Sequence, residues 1–440
     1  MKIAGWGNFP SADCAVSVPR SEAELAALVA RGHAIARGNG RSYGDSALSP
    51  RNTIDMRRFD RMISFDPDTG VLVAEAGVML SDVIDAFLPR GWFPMITPGT
   101  RLITLGGAIA ADVHGKNHHI DGSFRACVDW IDVMGRDGSV TRAARDDNAD
   151  LFGWTIGGMG LTGIILRCAI RLRPVQSGWI RQQMIPAENL GAAMRAFEDM
   201  MDTTYSVAWI DCAAKGVHLG RSLLMIGEFA RPDEVRPQQR HRPLDVPAKT
   251  KHTFPFNLPG FALNPLTVRA FNALYFRMGR RKAGFSIVDW DAFFYPLDAI
   301  AKWNRLYGRR GFMQFQCVLP TETAEAGLHA LLEAISDSGQ ASFLSVLKRF
   351  GPQTSPISFP MEGYTLALDF PRSRRAIELM PRLDAITLAH RGRFYLAKDS
   401  RMAAETFANA DPRVAEFAAW RQERGLTSAF SSAQSERLTL

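Results

Sequence analysis

An α+β fold in two parts is what this chain predicts, on three observations. Short β-like runs alternate with helical stretches, glycine and proline punctuate them, and 440 residues exceed one ordinary hydrophobic core. Apolar residues make up 46% and charged residues 22%, the proportions of a globular chain rather than a disordered or fibrous one.

The first helix is predicted at 21–31, SEAELAALVAR, where Ser21 and Glu24 have capping-box spacing. Strand-like runs follow at AIARG, NTIDM, GVLVAEAG and WFPMI, with a helix at 82–90 before the last. WIDVMGRDGSVTR predicts a hairpin turning at Asp137-Gly138, a pair that tolerates the positive φ of a tight turn. ILRCAIRLRPV alternates apolar and basic residues as a strand does and stops at Pro174, so the first boundary falls just after it. Beyond it, RPDEVRPQQRHRPLDVPAKT and TFPFNLPGF are proline-rich and without period, and predict loops. TVRAFNALYFRMGRRK, 267–282, carries five Arg or Lys and no acid. It predicts an amphipathic helix that either lies on a membrane surface or packs on a core with a solvated charged back. A last helix is predicted from Asp411, with Pro412 at its first position.

The net charge of +7 favours phosphates, anionic lipid and nucleic acid alike and separates none of them. No apolar run reaches the roughly eighteen residues that span a bilayer. The start, MKIAGWGNFPSAD, lacks the charged-then-apolar design of an export signal, so a cytoplasmic protein is the default expectation. Cys14, Cys127, Cys168, Cys212 and Cys317 are scattered and never paired as CxxC, which predicts reduced, buried thiols.

Chemistry concentrates in a few stretches. GNGRSYGDSAL at 38–48 and TPGTRLITLGGAIAADVHGKNHH at 97–119 combine glycines with small polar residues, as a backbone must when its N–H groups closely approach a phosphorylated cofactor. GGMGLTGII at 157–165 contains a literal GxGxxG at Gly158, Gly160 and Gly163. A nicotinamide dinucleotide fold needs a strand before it and a helix after; here a strand follows, and that reading fails. His114 and His118 are four apart, but Gly115 discourages a helix and the glutamate of HExxH is absent, so no metal site is expected.

In order and spacing, these stretches together with RFYLAKDSR at 393–401 resemble the FAD-linked oxidases of the vanillyl-alcohol oxidase (p-cresol methylhydroxylase type) superfamily. The likeness runs from about residue 15 to the C-terminus and is most specific at RSYGD, HGKNHH and AKDSR. It implies a two-part FAD-binding domain of that type, residues 1–177 and 393–440, interrupted at 178–392 by an inserted α+β substrate (cap) domain built on an antiparallel sheet. The first loop, Gly38, Asn39, Gly40, Arg41, Ser42, Tyr43, Gly44 and Asp45, would wrap the pyrophosphate. The second would surround the flavin with Gly99, Thr104, Leu105, Gly106, Gly107, His114, Gly115, Lys116 and Asn117. Thr162, Gly163, Ile165 and Tyr395 complete the implied cofactor contacts. Many relatives carry on the first loop a histidine bonded covalently to the flavin; Tyr43 stands at or next to that place, so non-covalent FAD is expected.

Oxidising an alcohol requires hydride removal and a base for the hydroxyl proton. The resemblance puts Lys398 over the flavin as that base, with His114 and Tyr43 as further catalytic candidates. It assigns Gln314, Gln316, Lys348, Asp369 and Lys398 to the substrate; amides suit sugar hydroxyls and Lys348 suits a phosphate. Gln314 and Gln316, two apart, share one face of a strand. The implied reaction is oxidation of the 2'-hydroxyl of a polyprenylphosphoryl-β-D-ribose to the 2'-keto sugar. A separate short-chain reductase would then complete epimerisation to the arabinose form. Peripheral contact with the inner membrane fits a lipid-linked sugar phosphate, and no nucleic-acid partner is expected. The alternatives are a flavin oxidase of a soluble alditol or sugar lactone on the same fold, and a basic binding protein without catalysis. Where mycobacterial relatives carry a cysteine and, two residues earlier, an asparagine, this chain has Ala367 and Thr365, so cysteine-directed nitroaromatic inhibitors should form no adduct.

Overall fold

Strand Ile164–Pro174 organises the first half of the chain, pairing with Val128–Met134 along one edge and Val71–Glu75 along the other. Trp92–Pro94 bonds to its far end, and Val140–Ala144 and Met62–Asp66 complete six antiparallel strands. Cys168, Ile170 and Leu172 alternate into a core that also receives Val83, Ile84 and Phe87 of helix Leu80–Phe87. Gly138, at φ +80°, makes the turn predicted between the hairpin strands. A smaller parallel sheet joins Val16–Ser17, Asn52–Asp55 and Ala34–Arg37, and the last delivers the chain directly into the first glycine-rich loop. This computed structural model describes residues 1–247, 252–259 and 263–440.

Residues 179–394 contribute a second, eight-stranded antiparallel sheet. Its order is Gly284–Asp289, Trp179–Ala187, Ser222–Phe229, Tyr205–Ile210, Ser345–Phe350, Gly363–Pro371, Phe312–Pro320 and Arg393–Phe394. The two-residue period of a strand sorts its side chains. Phe315, Cys317, Leu347, Leu366 and Leu368 share a core with Leu328 and Leu331 of helix Thr321–Ser338 and Leu383 of helix Arg374–Ala389. Gln314, Gln316, Val346, Lys348, Thr365 and Ala367 face the opposite way, into a cavity. The α+β class read from the sequence is the one observed.

The tail crosses back to the first half. The N–H groups of His33 and Ala34 donate to the carbonyls of Ser428 and Ala429 at 2.7 and 2.8 Å. Arg437 bridges Asp45 at 2.8 Å and Asp399 at 2.7 Å.

Local details depart from the sequence reading. Ser21 accepts the Glu24 N–H at 3.2 Å, but the Glu24 carboxylate takes the Arg20 N–H at 2.8 Å, since the extended Ser21 backbone presents that amide instead of its own. The helix predicted from Asp411 spans Arg413–Glu423, with Pro412 as its N-cap and Asp411 accepting the Arg413 N–H at 3.2 Å; helices Ala404–Ala410 and Ala433–Leu438 flank it. The run at 157–165 follows helix Ala149–Thr155 and leads into a strand, the reverse of a nicotinamide-binding unit. The basic helix spans Pro265–Arg281, capped by Asn264, and buries Val268, Asn272, Phe276 and Gly279. The loop predicted at 231–250 contains one short turn of helix, Pro237–Gln239. In the loop predicted at 253–261, Thr253 ends a two-residue strand paired with Ile300–Ala301. The ends of these loops, 248–250 and 260–261, lie outside the described residues. Among the described residues no helix is long and apolar enough to cross a membrane.

Candidate active site

Between the glycine-rich loops and the polar face of the eight-stranded sheet lies one deep cavity. Strand Ala34–Arg37 ends at its rim, and the loop from Gly38 to Tyr43 forms one wall. The two loops approach so closely that a Cβ on Gly38 would stand 2.2 Å from Thr104 Oγ1, and a Cβ on Gly106 would stand 2.8 Å from the Cβ of Ala76, just past strand Val71–Glu75. Thr104 Oγ1 meanwhile caps helix Leu105–Ala110 by accepting the Gly107 N–H. Among the described residues, no backbone N–H from Asn39 to Ser42 has an acceptor. Arg41 Nε, Ser46 Oγ, His114 Nδ1 and Gln314 Oε1 are buried without hydrogen-bond partners, on residues that line the same space. Unsatisfied buried donors and acceptors are costly, and their number here calls for a polar ligand. Met56, Ile103, Val113, Met159 and Ile165 supply apolar wall between them. Bare N–H groups and a guanidinium at one end, with apolar wall beyond, fit a dinucleotide carrying a flat ring.

Of the residues singled out in the sequence, Gly38 to Tyr43, Gly99, Thr104, Gly106, Gly107, His114, Gly163, Ile165 and Tyr395 line the cavity, as do Gln314, Gln316, Lys348 and Lys398. Others lie behind that surface. Gly44 packs against the Asp399 backbone, and Asp45 points away to Arg437. Leu105 is fully buried in the core, and Thr162 pairs its hydroxyl with Thr155 at 2.9 Å. Gly115 fits between Thr97 and Asn117, and Asn117 donates to the Met95 carbonyl at 2.9 Å and to Asp121 at 2.7 Å. Lys116 donates to the Phe293 carbonyl and lies 4.2 Å over that ring, tying the second loop to the aromatic segment near 293; burial lowers its pKa to about 7. Asp369 sits one step back, opposite Gln314 in register and accepting from its amide.

The sequence reading missed Trp6, Asp298 and Trp303, which also line the cavity. Trp6 lies 4.0 Å beneath the Arg41 guanidinium and 5.7 Å from Trp303. Asp298 accepts from Thr100 Oγ1 at 2.8 Å and the Arg101 N–H at 2.9 Å, latching the 290–298 segment onto the second loop. No local pattern announces any of the three; the one available signal is the clustering of aromatic residues on both sides of 300.

Electrostatics divide the site. His114 is enclosed by Phe350, Phe359 and Tyr395 at 4.8, 5.7 and 5.1 Å, and burial holds its pKa far below the ordinary imidazole value. It is neutral; the Gln316 amide donates to Nε2 at 3.2 Å, which leaves the proton on the unpartnered Nδ1. Lys398 places Nζ 3.7 Å over the Tyr43 ring. Burial depresses its pKa; Asp369 opposes this and Lys348 reinforces it. Burial also lowers Lys348 to about 8 and raises Asp369 above the usual carboxylate range. Among the described residues neither the Lys348 nor the Lys398 ammonium has an ion-pair or hydrogen-bond partner. The arrangement offers a lysine able to lose its proton near neutrality, beside amides that hold hydroxyl groups.

The FAD binding domain family matches residues 14–144, which contain both glycine-rich loops. Over its whole length the chain is 36% identical to decaprenylphosphoryl-beta-D-ribose oxidase of Mycolicibacterium smegmatis, covering 97% of that protein. Cytokinin dehydrogenase 5 of Arabidopsis thaliana is 30% identical over 40% of the chain and 35% of its own. L-gulonolactone oxidase of Mus musculus is 27% identical over 31% of each.

Proposed function

Because the chain belongs to the FAD-linked oxidase family that includes decaprenylphosphoryl-beta-D-ribose oxidase, we propose that it oxidises the 2'-hydroxyl of a polyprenylphosphoryl-β-D-ribose. It is an FAD-dependent oxidoreductase acting on CH–OH groups. The full-length likeness to that oxidase carries the choice of substrate; the likeness to the lactone oxidase stops at about a third of the chain.

Arg41 and the bare N–H groups of the first loop would hold the pyrophosphate of FAD, bound without a covalent link at Tyr43. Bound FAD supplies the hydride acceptor. Gln314 and Gln316 bind the sugar hydroxyls, Asp369 fixes the Gln314 amide, and Lys348 takes the phosphate. Neutral Lys398 accepts the 2'-hydroxyl proton as the C2' hydride departs, leaving a C=O bond and an ammonium group. Burial favours the neutral amine beforehand, and Asp369 stabilises the ammonium afterwards. His114 presents Nδ1–H as a neutral donor from an apolar enclosure, and the Tyr43 ring positions Lys398. The 2'-keto product is then a substrate for a short-chain reductase that completes epimerisation to the arabinose form.

Anaerobic mixing of the yellow holoenzyme with polyprenylphosphoryl-β-D-ribose should bleach the flavin absorbance. Bleaching by a soluble alditol or sugar lactone, with none by the lipid-linked sugar, would overturn the assignment.

A further inference from the structure

Helix Pro265–Arg281 divides into three arcs when its residues are placed at about 100° intervals. Val268, Asn272, Phe276 and Gly279 form the first and are buried against the eight-stranded sheet. Phe271, Leu274, Tyr275 and Met278 form the second and are exposed by 45, 57, 39 and 48%. Arg269, Arg277, Arg280 and Arg281 form the third, all exposed. A helix facing only water would carry polar residues along the second arc. With Leu266, this one helix holds five of the sixteen large apolar side chains exposed among the described residues, too concentrated for scattered surface residues.

We propose that this helix lies in the surface of an anionic lipid bilayer, inserting its second arc and setting its arginines against the lipid phosphates. Charge complementarity selects this occupant. The helix contains no acid, and among the described residues Arg280 alone of the four arginines pairs with a carboxylate, Glu188 at 3.3 Å. An apolar arc beside an arginine arc is the pattern of an interfacial helix.

Packed aromatic rings connect the helix to the wall of the catalytic cavity. Phe271 contacts Phe343 at 5.8 Å, Phe343 stacks on Tyr307 at 5.5 Å, and Tyr307 stacks on Phe312 at 4.3 Å. Phe312 meets Tyr43, on the cavity wall, at 5.3 Å. These rings, with Tyr307 and Phe312 buried, join the docking helix to a site whose substrate carries a prenyl tail. That last correspondence rests on the function proposed above; the docking itself does not.

The test is vesicle flotation of the FAD-loaded chain, with phosphatidylglycerol-containing vesicles against pure phosphatidylcholine. Binding should be at least about tenfold tighter to the anionic vesicles and should weaken as salt rises from 0.1 to 0.5 M. Leu274→Ser with Met278→Ser should lower vesicle affinity about tenfold while flavin absorbance and melting temperature stay unchanged. Equal affinity for the two vesicle types, or a double variant that binds as the parent does, would overturn the proposal. So would a dimer in sedimentation that the double variant abolishes, since a second copy would then cover the face. Failure to oxidise lipid-linked ribose, with vesicle binding intact, would remove the proposed reaction and leave the docking face standing.

Discussion

Replacing Lys398 by methionine keeps the apolar stem above Tyr43 and removes only the ammonium that stands 3.7 Å over the ring. A positioned general base contributes about 10²- to 10⁴-fold to a rate. The upper half of that range applies here, because no second amine replaces it: Lys116 is committed to the Phe293 carbonyl, and Lys348 is assigned to the phosphate. Stopped-flow reduction of the enzyme-bound flavin should therefore slow by about 10³-fold or more, while the variant remains yellow and fully loaded. The pH dependence carries the sharper test. Burial holds the Lys398 pKa below 10.5, so the parent rate should rise with pH to a plateau reached well before an exposed lysine would titrate. The variant should lose that rising limb. A variant reduced at the parent rate refutes the assignment. So does a parent rate that falls with rising pH, because Lys398 would then act as a cation and not as a base.

Gly38→Ala forces a methyl into Thr104 Oγ1 and spreads the two loops; a close-contact cost of about 1–3 kcal/mol predicts roughly 5- to 150-fold weaker FAD binding, read by fluorescence titration. Arg437→Met strands Asp45 and Asp399, whose side chains are 4 and 6% exposed, and should cost about 3–5 kcal/mol in denaturant titration. Burial raises Asp399, but Arg437 and the N–H groups of Arg401 and Met402 outweigh it and leave its pKa low; the difference between parent and variant is therefore full above the ordinary carboxylate range and fades as acid protonates Asp399. Ala367→Cys places a thiol on the cavity wall, so one equivalent of a thiol reagent should be taken up by the folded protein. The parent, with all five cysteines buried, should take up none, and equal labelling of the two would refute the placement.

The sequence exposes those parts of the site that depend on backbone shape. Gly38 stands where the two loops nearly touch and Gly106 where the second loop meets Ala76, and only small residues permit such approaches, so their spacing is visible in one dimension. Gln314 and Gln316 are visible for a similar reason, since alternation along one strand shows a shared face. HGKNHH is more ambiguous. Its polar residues resemble ligand donors, yet Lys116 and Asn117 spend their hydrogen bonds on carbonyls of the protein itself, a choice set by partners at Phe293 and Met95. Trp6, Asp298 and Trp303 reach the cavity through contacts that span the chain, as in the meeting of Trp6 with Trp303, and no local periodicity records such contacts. The order of the eight-stranded sheet is hidden likewise, because Tyr205–Ile210 pairs with Ser345–Phe350 from well over a hundred residues away.

Arg437 grips Asp45 across 392 positions of sequence. At about 5–20 residues per second, a ribosome emits the first glycine loop some 20–80 s before the arginine that braces it. For that interval Asp45 lacks the counter-ion it has in the folded protein. Flavin loading is therefore expected late, once the tail docks, and a chain truncated shortly before Arg437 should purify colourless and open to proteases although every residue of both loops is present.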